Sequence, residues 1–180
     1  MYIYKTKPFK HQEEIIDDSW KRPYYALFME MGLGKSKVII DTIGKLKLEG
    51  EIDSALIIAP KGVYDNWVKQ EIPNHLPDEI ARFVVRWQPS KAKKFQDDMQ
   101  KVVFEMMAGV KFLIMNIEAF SSERGKKAAY YFLRKNEDNI MIIDESTTIK
   151  NRKANRTKNI IDVSKYAKYK RILTGSPITK

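Results

Sequence analysis

Apolar and polar positions along this chain fall in blocks. Short, nearly unbroken apolar runs recur at Tyr24-Tyr25-Ala26-Leu27-Phe28, Ser54-Ala55-Leu56-Ile57-Ile58-Ala59, Arg82-Phe83-Val84-Val85-Arg86-Trp87, Lys111-Phe112-Leu113-Ile114-Met115-Asn116, Ile140-Met141-Ile142-Ile143 and Arg171-Ile172-Leu173. Runs of this length without a polar face suit strands covered on both sides, as in parallel sheets. Amphipathic stretches at helical spacing lie between them. The first opens after Pro8 and carries Phe9, Ile15, Ile16 and Trp20. The second runs from Lys35 to about Leu48. A third lies around residues 63–71, with Pro73 and Pro77 expected to close it. A fourth follows Pro89-Ser90 to about Met107, with Phe95, Met99, Val102, Val103 and Met106 as its apolar side and Gly109 as its stop. Two more span Ser121 to about Lys135 and Lys153 to about Tyr166.

Strands alternating with helices predict an α/β fold. It is expected to be a mostly parallel sheet with helices on both faces and right-handed crossovers. A single domain accounts for residues 1–180. No repeat, low-complexity tract or linker interrupts it. The glycine-bearing turns fall at strand carboxyl ends, where such sheets place their ligands.

Composition narrows the function. No apolar run approaches the ~20 residues of a membrane span, and the start, Met1-Tyr2-Ile3-Tyr4-Lys5, has no signal-like apolar core. The chain has no cysteine, which excludes disulfides, thiolate zinc sites and a cysteine nucleophile. His11 and His75, the two histidines, are far apart, which argues against a histidine metal site. A cytoplasmic location is expected, or a nuclear one in a eukaryotic cell. The formal net charge is +10, which suits a polyanionic partner, chiefly nucleic acid, although a solvated basic surface gives the same number.

Two short segments carry chemistry. Met29-Glu30-Met31-Gly32-Leu33-Gly34-Lys35-Ser36 joins the first strand to the second helix. Gly32 and Gly34 remove Cβ atoms where a backbone curling around an anion needs φ > 0. The start of the following helix offers N–H groups and positive potential to phosphates. Lys35 would supply a charge to the β/γ-phosphates and the Ser36 hydroxyl a ligand for Mg²⁺. A strict Walker A loop has Gly where Met29 stands, and alone this segment also reads as a surface turn. The partner is Asp144-Glu145, two acids directly after the most apolar short strand. Asp144 there would hold Mg²⁺ through water. Glu145 would orient and deprotonate the attacking water. Adjacent acids at a strand end are otherwise helix caps or surface groups; the glycine loop on an earlier strand favours the chemical reading. Gln12, near the start of the first helix, carries an amide able to pair with an adenine edge. A helical glutamine otherwise simply faces solvent.

Gln12, MEMGLGKS (29–36), ALIIAPKGVYDNW (55–67), FLIMNIEAF (112–120), IIDESTTIKNRK (142–153) and LTGSP (173–177) follow one another in a fixed order. They resemble motifs Q, I, Ia, Ib, II and III of superfamily 2 helicase-like ATPases, and most closely the SNF2 (Swi2/Snf2) group of DNA translocases. The resemblance runs from Phe9 to Pro177. It implies a RecA-like P-loop NTPase lobe that uses ATP and Mg²⁺ and contacts duplex DNA. It further implies that Gln12, Met31, Gly32, Leu33, Gly34, Lys35 and Ser36 bind nucleotide, that Ser36 and Asp144 hold the metal, and that Asp144, Glu145 and Lys35 carry the chemistry. Phe9 or Lys10 would form a lid. Lys61 would contact a DNA phosphate, with Asn116, Lys150 and Arg152 as further candidates. Thr174, Gly175 and Ser176 would couple the ATP site to the nucleic-acid face. Trp67 is expected to pack in the core rather than stack on a base.

Motif II departs from the group's pattern at Ser146 and Thr147, where Ala and His are usual. The group's second RecA-like lobe, with its arginine finger, lies outside these 180 residues and is expected in the same longer polypeptide. Such an arginine contributes roughly 10³–10⁵ in rate, so this lobe alone is expected to be nearly inactive. Two alternatives stay open: a strand-separating superfamily 2 helicase acting on DNA or RNA, and a non-catalytic nucleic-acid-binding module with a vestigial nucleotide site.

Overall fold

The unbroken apolar runs form one sheet. In the computed structural model, which describes residues 2–175, six strands pair in the order β1-β6-β5-β2-β4-β3 and every pairing is parallel. The strands are β1 (Tyr24–Phe28), β2 (Ser54–Ala59), β3 (Arg82–Arg86), β4 (Val110–Asn116), β5 (Asn139–Ile143) and β6 (Tyr169–Thr174). The central strands β2 and β5 are buried at every residue, as strands covered on both faces must be.

Alternation along the strands divides the core in two. Ala55, Ile57, Phe112, Ile114, Ile142 and Leu173 meet Ile16 of α1 (Lys10–Ser19) and Val38, Ile39 and Ile43 of α2 (Lys35–Leu48) on one face. Trp67 and Ile72 join that layer from a helical segment made of α3 (Tyr64–Asn66), a π turn (Trp67–Glu71) and α4 (Ile72–His75). Leu56, Ile58, Leu113, Met115 and Met141 face the other way. They pack on α5 (Lys93–Phe104), α6 (Glu123–Lys135) and α7 (Asn155–Ser164). The expected three-layer α/β arrangement is therefore observed.

Several expected boundaries move. Pro73 does not close the third helix; it sits in the first turn of α4. The π turn widens the spiral immediately before it, with Ile72 N–H reaching back five residues to Trp67 O. That relieves the register in which a proline ring meets the preceding turn. The segment ends at His75, because Leu76, next to Pro77, is extended as a pre-proline residue prefers. The fourth helix begins at Lys93 and stops at Phe104, where Glu105 turns to ψ 140°, so Met106 is fully exposed instead of lying on an apolar face. A 3₁₀ turn (Ile117–Ser121) precedes α6, whose cap is Ser122 Oγ accepting from Gly125 N–H at 3.2 Å.

Candidate nucleotide-binding site

β1 ends at Phe28, and the glycine loop carries the chain to α2. Gly32 and Gly34 take φ of 82° and 78°, the left-handed backbone expected of them. Gly34 is the N-cap of α2, and the first turn of that helix holds no acidic residue. Its positive end is therefore unopposed by its own sequence. The Lys35 ammonium lies across the loop, donating to Met29 O at 3.0 Å and Glu30 O at 3.1 Å. The loop and helix start open on a cleft of about 350 Å³ lined by Gly32, Gly34, Lys35, Ser36, Lys37, Glu71 and His75. Met31 and Leu33 are exposed on the loop. A larger groove, about 410 Å³ over Tyr24, Tyr25, Ala26, Lys170 and Ile172, holds none of the candidate groups.

Gln12 is buried against this loop. Its amide oxygen accepts from Phe9 N–H at 3.0 Å and its Nε2 donates to Leu33 O at 3.0 Å. A Cβ at Gly34 would lie 2.3 Å from that Nε2, so the glycine is required by space as well as by φ. The amide thus ties α1 to the loop.

Sheet order brings the acids to the loop. β6 lies between β1 and β5, with Phe28 opposite Thr174 and Ile143 opposite Ile172. Asp144 follows β5 and is buried; its N–H bonds Ile58 O at 2.8 Å. Glu145 N–H donates to Asp144 Oδ1 at 2.9 Å, and the Trp67 indole N–H donates to Oδ2 at 3.0 Å. Burial raises the Asp144 carboxyl above its ordinary range; the Trp67 bond pulls against that, the Glu145 charge adds to it, and Lys35 lowers it from nearby. Glu145 stands in left-handed backbone, φ 50° and ψ 54°, the one non-glycine residue among those described with positive φ. Its carbonyl accepts from Thr148 N–H and Thr148 Oγ1. Gly175, after β6, lies under the loop, where an added Cβ would be 3.3 Å from Met31 Cγ. Thr174 is buried beside it, and Ser176 lies outside the described residues.

The nucleic-acid candidates share the same rim farther along. The strand order β5-β2-β4 sets the Pro60-Lys61-Gly62 turn between the exits of β5 and β4. Lys61, Lys150 and Arg152 are exposed there. Asn116 spends its side-chain oxygen on capping the 3₁₀ turn, accepting from Ala119 N–H at 2.7 Å.

Trp67 is buried in the core as expected, and its bond to Asp144 has no signal in the sequence. Nor does the sequence single out Glu71 and His75 at the cleft. Only the four-residue spacing of Trp67, Glu71 and His75 hinted that they share a face. A hard-oxygen pair, the Ser36 hydroxyl and a buried carboxylate whose oxygens are both oriented by donors, fits Mg²⁺ chemically.

Residues 25–180 match the profile of the SNF2-related domain. The chain belongs to that family. Among curated proteins, the SNF2-related domain here is 33% identical over 153 residues to the probable ATP-dependent DNA helicase CHR12 of Arabidopsis thaliana, covering 83% of this chain and 12% of that protein. It is 26% identical over 150 residues to the ATP-dependent helicase fft1 of Schizosaccharomyces pombe, covering 83% and 14%. The chain thus spans a small part of these relatives. Among solved structures, the SWI2/SNF2 ATPase core of Sulfolobus solfataricus in complex with dsDNA is similar at a TM-score of 0.68 and 21% identity, over 98% of this chain and 33% of that one. The UvsW helicase of bacteriophage T4 is similar at 0.62 and 15% identity, over 95% and 53%. The RecA-like fold of this SNF2-related domain is shared with both.

Proposed function

We propose that this chain is the N-terminal ATP-binding lobe of a DNA-dependent ATPase that couples ATP hydrolysis to translocation on duplex DNA. One observation carries the reading: a glycine loop with Lys35 and Ser36 at a helix start shares a strand-end rim with Asp144 and Glu145, in a chain of the SNF2-related family. In this reading the N–H groups of Gly32–Ser36 and the Lys35 ammonium bind the phosphates. Gln12 meets the adenine. Ser36 and Asp144 hold Mg²⁺, which neutralises phosphate charge when bound. Glu145 takes the proton of the attacking water. Lys61, Asn116, Lys150 and Arg152 meet the backbone of the DNA, and Thr174, Gly175 and Ser176 link that contact to the phosphate loop. A second RecA-like lobe of a longer polypeptide closes the site with an arginine, and the whole protein works in the cytoplasm, or in the nucleus of a eukaryotic cell.

The test is ATP turnover by the longer protein with and without duplex DNA. DNA is expected to stimulate turnover, and Lys35→Ala to abolish it while leaving the fold intact. Normal turnover by that variant would remove the phosphate loop from the mechanism. The strand-separating reading draws on the helicase names of the relatives. Displacing a third strand from a triplex, without parting the duplex, distinguishes translocation from it.

A further inference from the structure

Trp67–Glu71 is the one stretch of π-helix among the described residues. Such turns are uncommon and concentrate at functional sites. This one aims two side chains at the strand ends. Trp67 is 1% exposed, and its indole N–H reaches Oδ2 of Asp144 at 3.0 Å, across 77 residues of sequence. Glu71 lines the phosphate cleft with Lys35 and Ser36, and Asn66 Nδ2 holds its Oε1 at 2.8 Å. Asn66 and Glu71 are five residues apart, the separation that the π register closes.

A core tryptophan needs some acceptor for its N–H, and a backbone carbonyl would serve. The acceptor here is the carboxylate assigned to the metal. Each Asp144 oxygen has two acceptor positions. Glu145 N–H occupies one on Oδ1 and the indole one on Oδ2, so the carboxylate plane is fixed from two sides, and among the described residues no further hydrogen-bond donor takes the second position on either oxygen. The Lys35 and Glu145 charges act on the carboxyl from nearby, but the two hydrogen bonds are what orient it. A Phe there would keep part of the apolar packing, though it is smaller than the indole, and would leave Oδ2 without its donor.

We propose that Trp67 is a positioning residue of the nucleotide site, whose indole N–H presets Asp144 for a divalent cation bound with the nucleotide. The inference rests on the proposed function, and the experiment separates the two. The probes are ADP in EDTA, then Mg²⁺ added to the ADP-loaded chain, followed by indole ¹H–¹⁵N spectra. Three indole resonances are available, from Trp20, Trp67 and Trp87, each assigned by its Phe variant. Mg²⁺ is expected to shift the Trp67 resonance while those of Trp20 and Trp87 stay in place, and Asp144→Asn should shift it without metal. Trp67→Phe should raise the Mg²⁺ concentration for half-saturation about tenfold, the range typical of groups that orient metal ligands, with ADP affinity in EDTA unchanged. A folded Trp67→Phe protein with wild-type Mg²⁺ response overturns the inference. If that variant does not fold, the wild-type spectrum still decides, because a Trp67 resonance that ignores Mg²⁺ overturns it equally. ADP in EDTA that binds wild type and Lys35→Ala alike refutes the nucleotide site itself, and the positioning role falls with it.

Discussion

Glu145 pays a conformational cost where its chemistry is proposed. Left-handed backbone costs an L-residue roughly 1–2 kcal/mol, and such strain tends to sit at functional sites. Glu145→Gly is therefore expected to be about 1 kcal/mol more stable than Glu145→Gln by urea denaturation. In the longer protein both should fail to turn over, and Glu145→Gln should hold bound ATP; wild-type turnover by Glu145→Gln would remove the general-base role. Gly34 makes the opposite case. Alanine there would meet Gln12 Nε2 and be strained at φ 78°, so Gly34→Ala should lose about 1–2 kcal/mol of stability and free Gln12 from Leu33. At this scale the sequence was most legible where one residue type answers one demand. Glycine answers a positive φ, as Gly32 and Gly34 do. Trp67 was illegible because its role depends on a helical register that side-chain pattern does not encode.

Elements are joined by a few polar contacts at the ends of the layers. Arg171 of β6 is 1% exposed and donates to Ser19 O at 2.9 Å, Trp20 O at 3.3 Å and Pro23 O at 3.3 Å. It thereby caps the carboxyl end of α1, where a cation suits the helix dipole. Burial lowers its guanidinium to about 10, which leaves it charged at neutral pH. Arg171→Met should cost about 3 kcal/mol in urea, because buried carbonyls lose their donors; a loss below about 0.5 kcal/mol would show the clasp idle. On the opposite layer, Asp162 of α7 receives Lys126 of α6 and Lys165, both at 2.9 Å, and these bonds hold its carboxyl at about 2. A depressed carboxyl stabilises the fold above its unfolded value, 3.8, and loses that contribution as pH falls through about 2. Carboxyl ¹³C titration should show that midpoint, and Lys126→Met should move it upward. The strands were legible because burial on both faces keeps them mostly apolar, although Lys111 of β4 and Arg171 of β6 are buried charges within them. Helix ends were less so: Pro73 reads as a stop, yet the π turn before it lets the helix continue, and Glu105 ended α5 before its apolar pattern did.

Across the whole molecule, one parallel sheet gathers groups scattered from Gln12 to Gly175 onto a single rim. The order β1-β6-β5 seats Thr174 and Gly175 between the phosphate loop and Asp144. In the proposed reading, a change at the phosphates would pass through β6 to the acids and the exposed basic turns beyond. The net charge of +10 has its proposed use at those turns. Duplex DNA binding should weaken steeply with salt and depend little on base sequence. Lys61→Ala with Arg152→Ala should flatten the salt slope; an unchanged slope would move the contact elsewhere. The order of the motifs was legible from sequence, whereas the cleft's far wall, Glu71 and His75, emerged only once the helical segment was seen packed over the loop. The proposed function stands on the loop from Gly32 to Ser36 binding nucleotide phosphates. Calorimetric titration of ATP with Mg²⁺ into this chain and into Lys35→Ala tests it most directly. Wild type should bind one nucleotide, and the variant should bind at least about tenfold more weakly, the loss expected for a charged phosphate contact, with an unchanged thermal melt. Equal affinity in the two proteins, or no binding by wild type, would contradict it.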